Sequence, residues 1–190
     1  MAGRDIAGLQ WGSGSFRFFQ CEAALPGQPD AVVSHIYNGL DEVLKFALVG
    51  CGRIAVRHSE LLGQNQIEGA ELAAVCDLDV AKAAKIGSRF GVPSFSDMHE
   101  MAGGVDIDAF VVLTESGAHA QNVCELAPYG KHIVVEKPMA LTLDDADRMI
   151  KACDQFNVRL FVVKQNRFNA PVVKLRAALE EGRFGRLVMG

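Results

Sequence analysis

The chain has 190 residues, enough for one full domain and part of another. Its 49% hydrophobic and 22% charged residues are an ordinary globular balance, and a net charge of −4 gives no electrostatic reason to expect nucleic acid or a membrane surface. The longest apolar runs are strand-sized and the first five residues lack the apolar core of a signal peptide, while five single cysteines without a C-x-x-C pair argue against a disulfide framework or a zinc site, so a reducing cytoplasm is the default.

Residues 1–43 carry Gly-Ser and Pro-Gly stretches and apolar residues without a clear period, apart from one short helix expected within 31–44. They read as an appendage and a candidate for poor order. From Lys45 strands and helices alternate regularly. A strand over 45–49 is followed by a helix over 54–63, a strand over 71–76 and a helix over 80–90. A short strand at 92–95 precedes a helix capped by Ser96 or Asp97, running through Met101. Ile107 to Leu113 is apolar throughout and is expected to be a central parallel strand. A helix over 117–126 is closed by Pro128 and Gly130, and a strand follows over 131–136. Thr142 with Asp144 and Asp145 suits a helix N-terminus, and that helix carries Ala146, Met149, Ile150 and Cys153 on one face. The sixth strand is 160–163 and the last helix is 171–181. Leu187-Val188-Met189 starts a further strand. The alternation gives an α/β fold with a doubly wound parallel sheet.

The most informative stretch is the first strand and its turn, Gly50-Cys51-Gly52-Arg53-Ile54-Ala55. About 27 residues after Gly50, the second strand ends in Asp77. Strand, glycine turn, helix, strand and acid at this spacing form a dinucleotide-binding fingerprint. Gly50 permits the tight turn, Gly52 lets a pyrophosphate approach the backbone, and the helix N-terminus offers free N–H groups. Asp77 suits the adenosine ribose hydroxyls and repels a 2′-phosphate, which favours NAD over NADP. Arg53 works against that preference, because a guanidinium beside the ribose tolerates phosphate. The plain alternatives are an ordinary tight turn and a helix cap.

Three more polar clusters follow strand ends: Thr114-Glu115-Ser116-Gly117-Ala118-His119, Glu136-Lys137-Pro138, and Lys164-Gln165-Asn166-Arg167-Phe168. In doubly wound sheets ligands bind at the carboxyl ends of the strands, so these clusters converge on one crevice. With the glycine turn and Val75-Cys76-Asp77, these clusters resemble the Gfo/Idh/MocA family of NAD(P)-dependent sugar dehydrogenases over about residues 44–190. The wording of Val163 to Asn169 is similar to members that act on UDP-N-acetylglucosaminuronic acid and serve lipopolysaccharide synthesis.

That resemblance implies a Rossmann domain over 44–165, with 166–190 as a linker helix and the first strand of a C-terminal α/β domain. Only the start of that second domain is present. The whole family member would run to about twice this length, carry an Asp…His pair downstream and oligomerise through the second sheet. Gly50, Gly52, Arg53, Ile54, Asp77, Thr114, Ser116, His119 and Glu136 are implied cofactor contacts. Lys137 is implied as the catalytic residue, with its amine made less basic by burial, and as a substrate contact together with Lys164, Asn166 and Arg167. The peptide before Pro138 is expected to be cis. The partner is a small sugar or nucleotide sugar oxidised at a ring hydroxyl, C3, with no metal, nucleic acid or membrane involved. A dinucleotide-binding fragment or sensor without turnover is the alternative. The plain readings are a helix-capping Ser116, a solvated Lys137, a surface loop at Asn166 and Arg167, and cysteines used for packing.

Overall fold

The computed structural model describes residues 43–188, so the appendage, its short helix and the end of the final strand lie outside the described residues. Residues 43–164 and 165–188 belong to two separate compact units.

The first unit carries one sheet. Its strands are β1 (Leu44–Val49), β2 (Ala70–Cys76), β3 (Ser94–Phe95), β4 (Ala109–Val112), β5 (His132–Val135) and β6 (Leu160–Val162). They lie in the order β3-β2-β1-β4-β5-β6 and every pairing is parallel. This is the dinucleotide-binding order, and its direction reverses between β1 and β4. The helices are α1 (Arg53–Gly63), α2 (Val80–Phe90), α3 (Met98–Gly104), α4 (His119–Leu126) and α5 (Leu143–Gln155).

Alternate strand positions explain the two-sided burial. Ala47, Val49, Ala74, Cys76, Phe110, Val112, Ile133 and Val135 form one cluster with Met101 of α3, Val123 and Leu126 of α4, and Met149 and Cys153 of α5. The intervening Leu48, Val75 and Val111 are buried on the other face, as are Ala55 and Leu62 of α1 and Ala83 and Ile86 of α2. Local chemistry sets the helix ends, although α3 runs on to Gly104 rather than stopping at Met101. Asp79 accepts hydrogen bonds from the Ala81 and Lys82 amides at the start of α2, and Gly91 closes it at φ 71°. Asp97 and Thr142 cap α3 and α5 in the same way.

The differences are local. The strand expected over 92–95 pairs only at Ser94–Phe95, and the one expected over 107–113 pairs over Ala109–Val112. After α4 the chain makes a 3-10 turn, Ala127–Tyr129, before Gly130 at φ 69°. In the second unit Gln165–Phe168 is another 3-10 turn and α6 is Ala170–Glu180; Leu187 and Val188 are not in a strand. No helix among the described residues is long and apolar enough to cross a membrane.

The buried thiols make stability fall in alkali. Burial, with the Asp77 carboxylate next, pushes Cys51 up from 9.0 to about 12. Burial likewise pushes Cys76 and Cys153 up to about 11. The native state therefore holds these protons more tightly than the unfolded chain. That contribution is complete below pH 9, the ordinary thiol value, and is lost as the pH rises towards 11–12. One unit above the unfolded value, each thiol costs about 1 kcal/mol. Urea unfolding at pH 8 and pH 10 checks this. A variant with Cys51, Cys76 and Cys153 replaced by Ala should lose much less stability between the two pH values than the native chain.

Candidate functional site

The carboxyl edge of the sheet collects the polar residues of the first unit. Each loop stays in register as it leaves its strand, because backbone bonds continue one residue past it. The Gly50 amide donates to Cys76 O, Asp77 to Phe95 O, Leu113 to Val49 O, Glu136 to Val112 O and Val163 to Val135 O.

Gly50 has φ +97°, and a Cβ there would come within 2.8 Å of the Leu113 and Thr114 backbone. The β1 turn thus packs directly on the chain leaving β4, at the reversal of strand order. Gly52, by contrast, faces open space within 4 Å. It is the N-cap of α1 and supplies no side-chain acceptor, and no acidic residue sits in the first turn. Helices α2, α3 and α5 are capped by a side chain, whereas α1, like α4, has no side-chain cap, and its first amides have donor capacity to spare for a ligand. Arg53 and Ile54 are exposed on that first turn, Ile54 at 45%.

Asp77 braces this turn. Its Oδ2 accepts from the Cys51 amide at 2.7 Å and its Oδ1 from the Asp79 amide at 2.8 Å. Each carboxylate oxygen keeps lone-pair capacity for one further donor. The cap of α2 is Asp79 rather than Asp77, so the plain reading of Asp77 as the cap of that helix does not hold. Leu78, beside Asp77, is 93% exposed.

The loop after β4 differs from its sequence reading. Thr114 donates its hydroxyl to Asn122 Oδ1 at 2.8 Å. Ser116 caps nothing: the N-cap of α4 is Ala118, without a side-chain bond. His119 is 1% exposed, with Nδ1 2.9 Å from Pro138 O and Nε2 3.0 Å from Thr114 O. Both partners are acceptors, so the ring donates to one as a neutral tautomer and to both only when doubly protonated. Sequence reasoning put His119 among the cofactor contacts. Both ring nitrogens lie against backbone carbonyls, and the ring ties the β5 loop to the β4 loop.

At the end of β5, Glu136 is 7% exposed and Lys137 is exposed. Glu136 Oε2 accepts from the Lys137 amide at 2.9 Å, and Oε1 lies 3.2 Å from Nε2 of His58 on α1. The Lys137–Pro138 peptide is cis, as the family resemblance implies. The resemblance implies a buried Lys137 side chain, whereas here it is exposed. Lys164 is exposed at the end of the same unit; Asn166 and Arg167 belong to the 3-10 turn of the second unit, also exposed. No cluster of metal-ligating side chains occurs among the described residues.

His58 was missed by sequence reasoning, although its position signals it. Ala55, His58, Ser59 and Leu62 follow the i, i+3, i+4, i+7 spacing of the stripe of α1 that faces the sheet, and Ala55, Ser59 and Leu62 are buried.

Residues 44–164 match the Gfo/Idh/MocA family, described as an oxidoreductase family with an NAD-binding Rossmann fold. The chain belongs to this family. Among the Gfo/Idh/MocA relatives it is 32% identical to the myo-inositol 2-dehydrogenase of Thermotoga maritima over 144 residues, which are 75% of this chain and 42% of that protein. Of solved structures, the WlbA dehydrogenase of Bordetella pertussis, in complex with NADH and UDP-GlcNAcA, is 43% identical with a TM-score of 0.72, covering 76% of this chain and 44% of that one. The WlbA dehydrogenase of Chromobacterium violaceum, in complex with the same two molecules, is 41% identical with a TM-score of 0.73, covering 77% and 42%. The chain therefore spans less than half the length of the proteins it matches.

The cofactor of this Rossmann family is NAD. The residues present fit it: the open face at Gly52 and the α1 N-terminus lie on one turn, and Asp77, at the end of β2, is hydrogen-bonded to that turn through the Cys51 amide with acceptor capacity to spare.

Proposed function

We propose that the chain is the cofactor-binding part of an NAD-dependent dehydrogenase that oxidises a ring hydroxyl, at C3, of a UDP-linked amino sugar or its uronic acid. The observation that carries the dehydrogenase reading is the shared edge of the sheet. There the uncapped α1 turn and Asp77 stand with Glu136 and Lys137, and the His58–Glu136 contact links α1 to the end of β5. The sugar-nucleotide reading draws on the 43% and 41% identity to the two WlbA dehydrogenases, against 32% to the inositol enzyme of T. maritima.

In this reading the amides of the α1 turn, with Arg53 and Ile54 beside them, hold the pyrophosphate and Asp77 holds the adenosine ribose. Thr114, Ser116, His119 and Glu136 shape the nicotinamide end. When bound, NAD takes up the hydride. Oxidation of the carbinol also requires the hydroxyl proton to leave, and Lys137 receives it or hydrogen-bonds the oxygen as negative charge develops. Lys164, Asn166 and Arg167 are cationic and polar groups suited to a uronate or a diphosphate.

Calorimetry of the chain with NAD and NADP tests the cofactor half, and formation of NADH with UDP-GlcNAcA, against myo-inositol, tests the substrate. Absence of NAD binding sinks the whole reading, and oxidation of myo-inositol alone sinks the substrate. The Asp77→Ala variant should bind NAD about tenfold to a hundredfold more weakly, since two charge-assisted hydrogen bonds disappear and the Cys51 amide loses its acceptor. Its loss for NADP should be smaller, because the repulsion of a 2′-phosphate goes with the carboxylate. Equal losses for both cofactors would refute the ribose contact.

A further inference from the structure

We infer that His58 is a positioning residue for Lys137, acting through Glu136; this rests on the reading of Lys137 as the working amine. Glu136 and Lys137 are sequence neighbours, and a carboxylate next to an ammonium is ordinarily free to pair with it. Here both oxygens of Glu136 are engaged elsewhere. Oε1 lies 3.2 Å from His58 Nε2 and Oε2 accepts the Lys137 amide at 2.9 Å. The carboxylate is 9% exposed and His58 is 21% exposed, so the contact is largely shielded from water. No ion pair to the Lys137 amine occurs among the described residues.

The result is a division of labour within one dipeptide. His58 turns the carboxylate inward. The carboxylate then fixes the Lys137 backbone by a bond from its amide, and the amine is left exposed at the strand end without an acidic partner. His58 is on α1, the helix that follows the glycine turn, so one side chain joins that helix to Glu136, whose other oxygen holds the Lys137 amide. The nearest other polar ties to the β5 loop come from His119, which reaches Pro138 O and Thr114 O, neither of them on Glu136.

The experiment is acetylation of the 190-residue chain at mildly alkaline pH, with the rate at Lys137 read by peptide mass spectrometry against exposed Lys85. In His58→Leu the freed carboxylate swings to the amine, and Lys137 should react about three- to tenfold more slowly. His58→Gln keeps an N–H donor of similar reach and should restore the native rate. In a Glu136→Gln background, His58→Leu should change nothing. An unchanged rate in folded His58→Leu, or an effect that survives Glu136→Gln, overturns the inference. If His58→Leu does not fold, NMR of Glu136→Gln decides: the His58 ring nitrogen and Lys137 amide signals should move together, and unmoved signals overturn it. Failure of the chain to bind NAD would remove the functional reading and leave these results standing, whereas an unchanged labelling rate removes this inference alone.

Discussion

Gly50→Ala should unfold or severely destabilise the chain, whereas Gly52→Ala, two residues away, should leave the fold intact and weaken NAD binding at least about tenfold. The two glycines occupy the same turn for different physical reasons. At Gly50 the backbone has φ +97°, where an L-residue is strained, and a new Cβ meets the Leu113 carbonyl carbon and the Thr114 amide nitrogen at 2.8 Å. Those atoms are backbone at the end of β4 and cannot rotate away. They are also held in place, since the Leu113 amide donates to Val49 O at 2.7 Å. Relief requires β1 and β4 to separate where the sheet is most buried. A cost of about 3 kcal/mol or more is expected, a large part of the stability of a domain of this size. At Gly52 φ is −75° and nothing lies within 4 Å of the added methyl. Alanine fits there without strain, and its only effect is to fill the space over the uncapped α1 N-terminus. Urea unfolding with NAD calorimetry separates the two. Gly50→Ala should lose its unfolding midpoint. Gly52→Ala should keep its midpoint and bind NAD at least about tenfold more weakly. Native-like NAD binding by Gly52→Ala would show that the pyrophosphate does not lie against this turn.

The legible parts of the chain are those where one local rule dominates. Helix α2 runs over the residues expected from its periodicity, because Asp79 and Gly91 punctuate it at both ends. The central strands were legible because a parallel strand covered on both faces is apolar at every position, as Phe110, Val111 and Val112 are. The 3-10 turns at Ala127–Tyr129 and Gln165–Phe168 were read as a helix stop and a loop. A single turn with i to i+3 bonds has no repeat to detect. The candidate site divides the same way. The turn at Gly50 and Gly52 and its tie to Asp77 were legible because they depend on backbone conformation and spacing. His119 was assigned to a ligand, yet both its nitrogens face carbonyls from distant loops, at Thr114 and Pro138. Which acceptors surround a histidine is decided by tertiary packing, which a motif of local spacing does not encode. The exposure of Lys137 is likewise a property of what covers the end of β5, and nothing in Glu136-Lys137-Pro138 specifies that.

On the proposed reading, Lys137→Met should leave NAD affinity within about twofold of native and lower turnover of the proposed sugar substrate by about two to four orders of magnitude. Methionine keeps most of the aliphatic stem and removes the charge and the proton-carrying nitrogen, so packing changes little at an exposed site. The amide of residue 137 still donates to Glu136 Oε2, since that bond belongs to the backbone, and the His58–Glu136 contact does not involve the amine. In the proposed reading cofactor affinity comes from the α1 turn and Asp77, on the other side of the strand reversal from β5. A loss confined to turnover therefore reports a group used in the transition state rather than in binding. Lys137→Arg sharpens the test. Arginine retains the positive charge and gains donors, yet it does not release a proton in the accessible pH range. If Lys137 takes the hydroxyl proton, Lys137→Arg should be about as inactive as Lys137→Met, and the pH dependence of kcat should lose its basic-group limb in both. If Lys137 only steadies the developing negative oxygen, Lys137→Arg should recover a substantial part of the rate. Retention of near-native turnover by both variants would remove Lys137 from the chemistry and leave the lysine as a solvated surface amine.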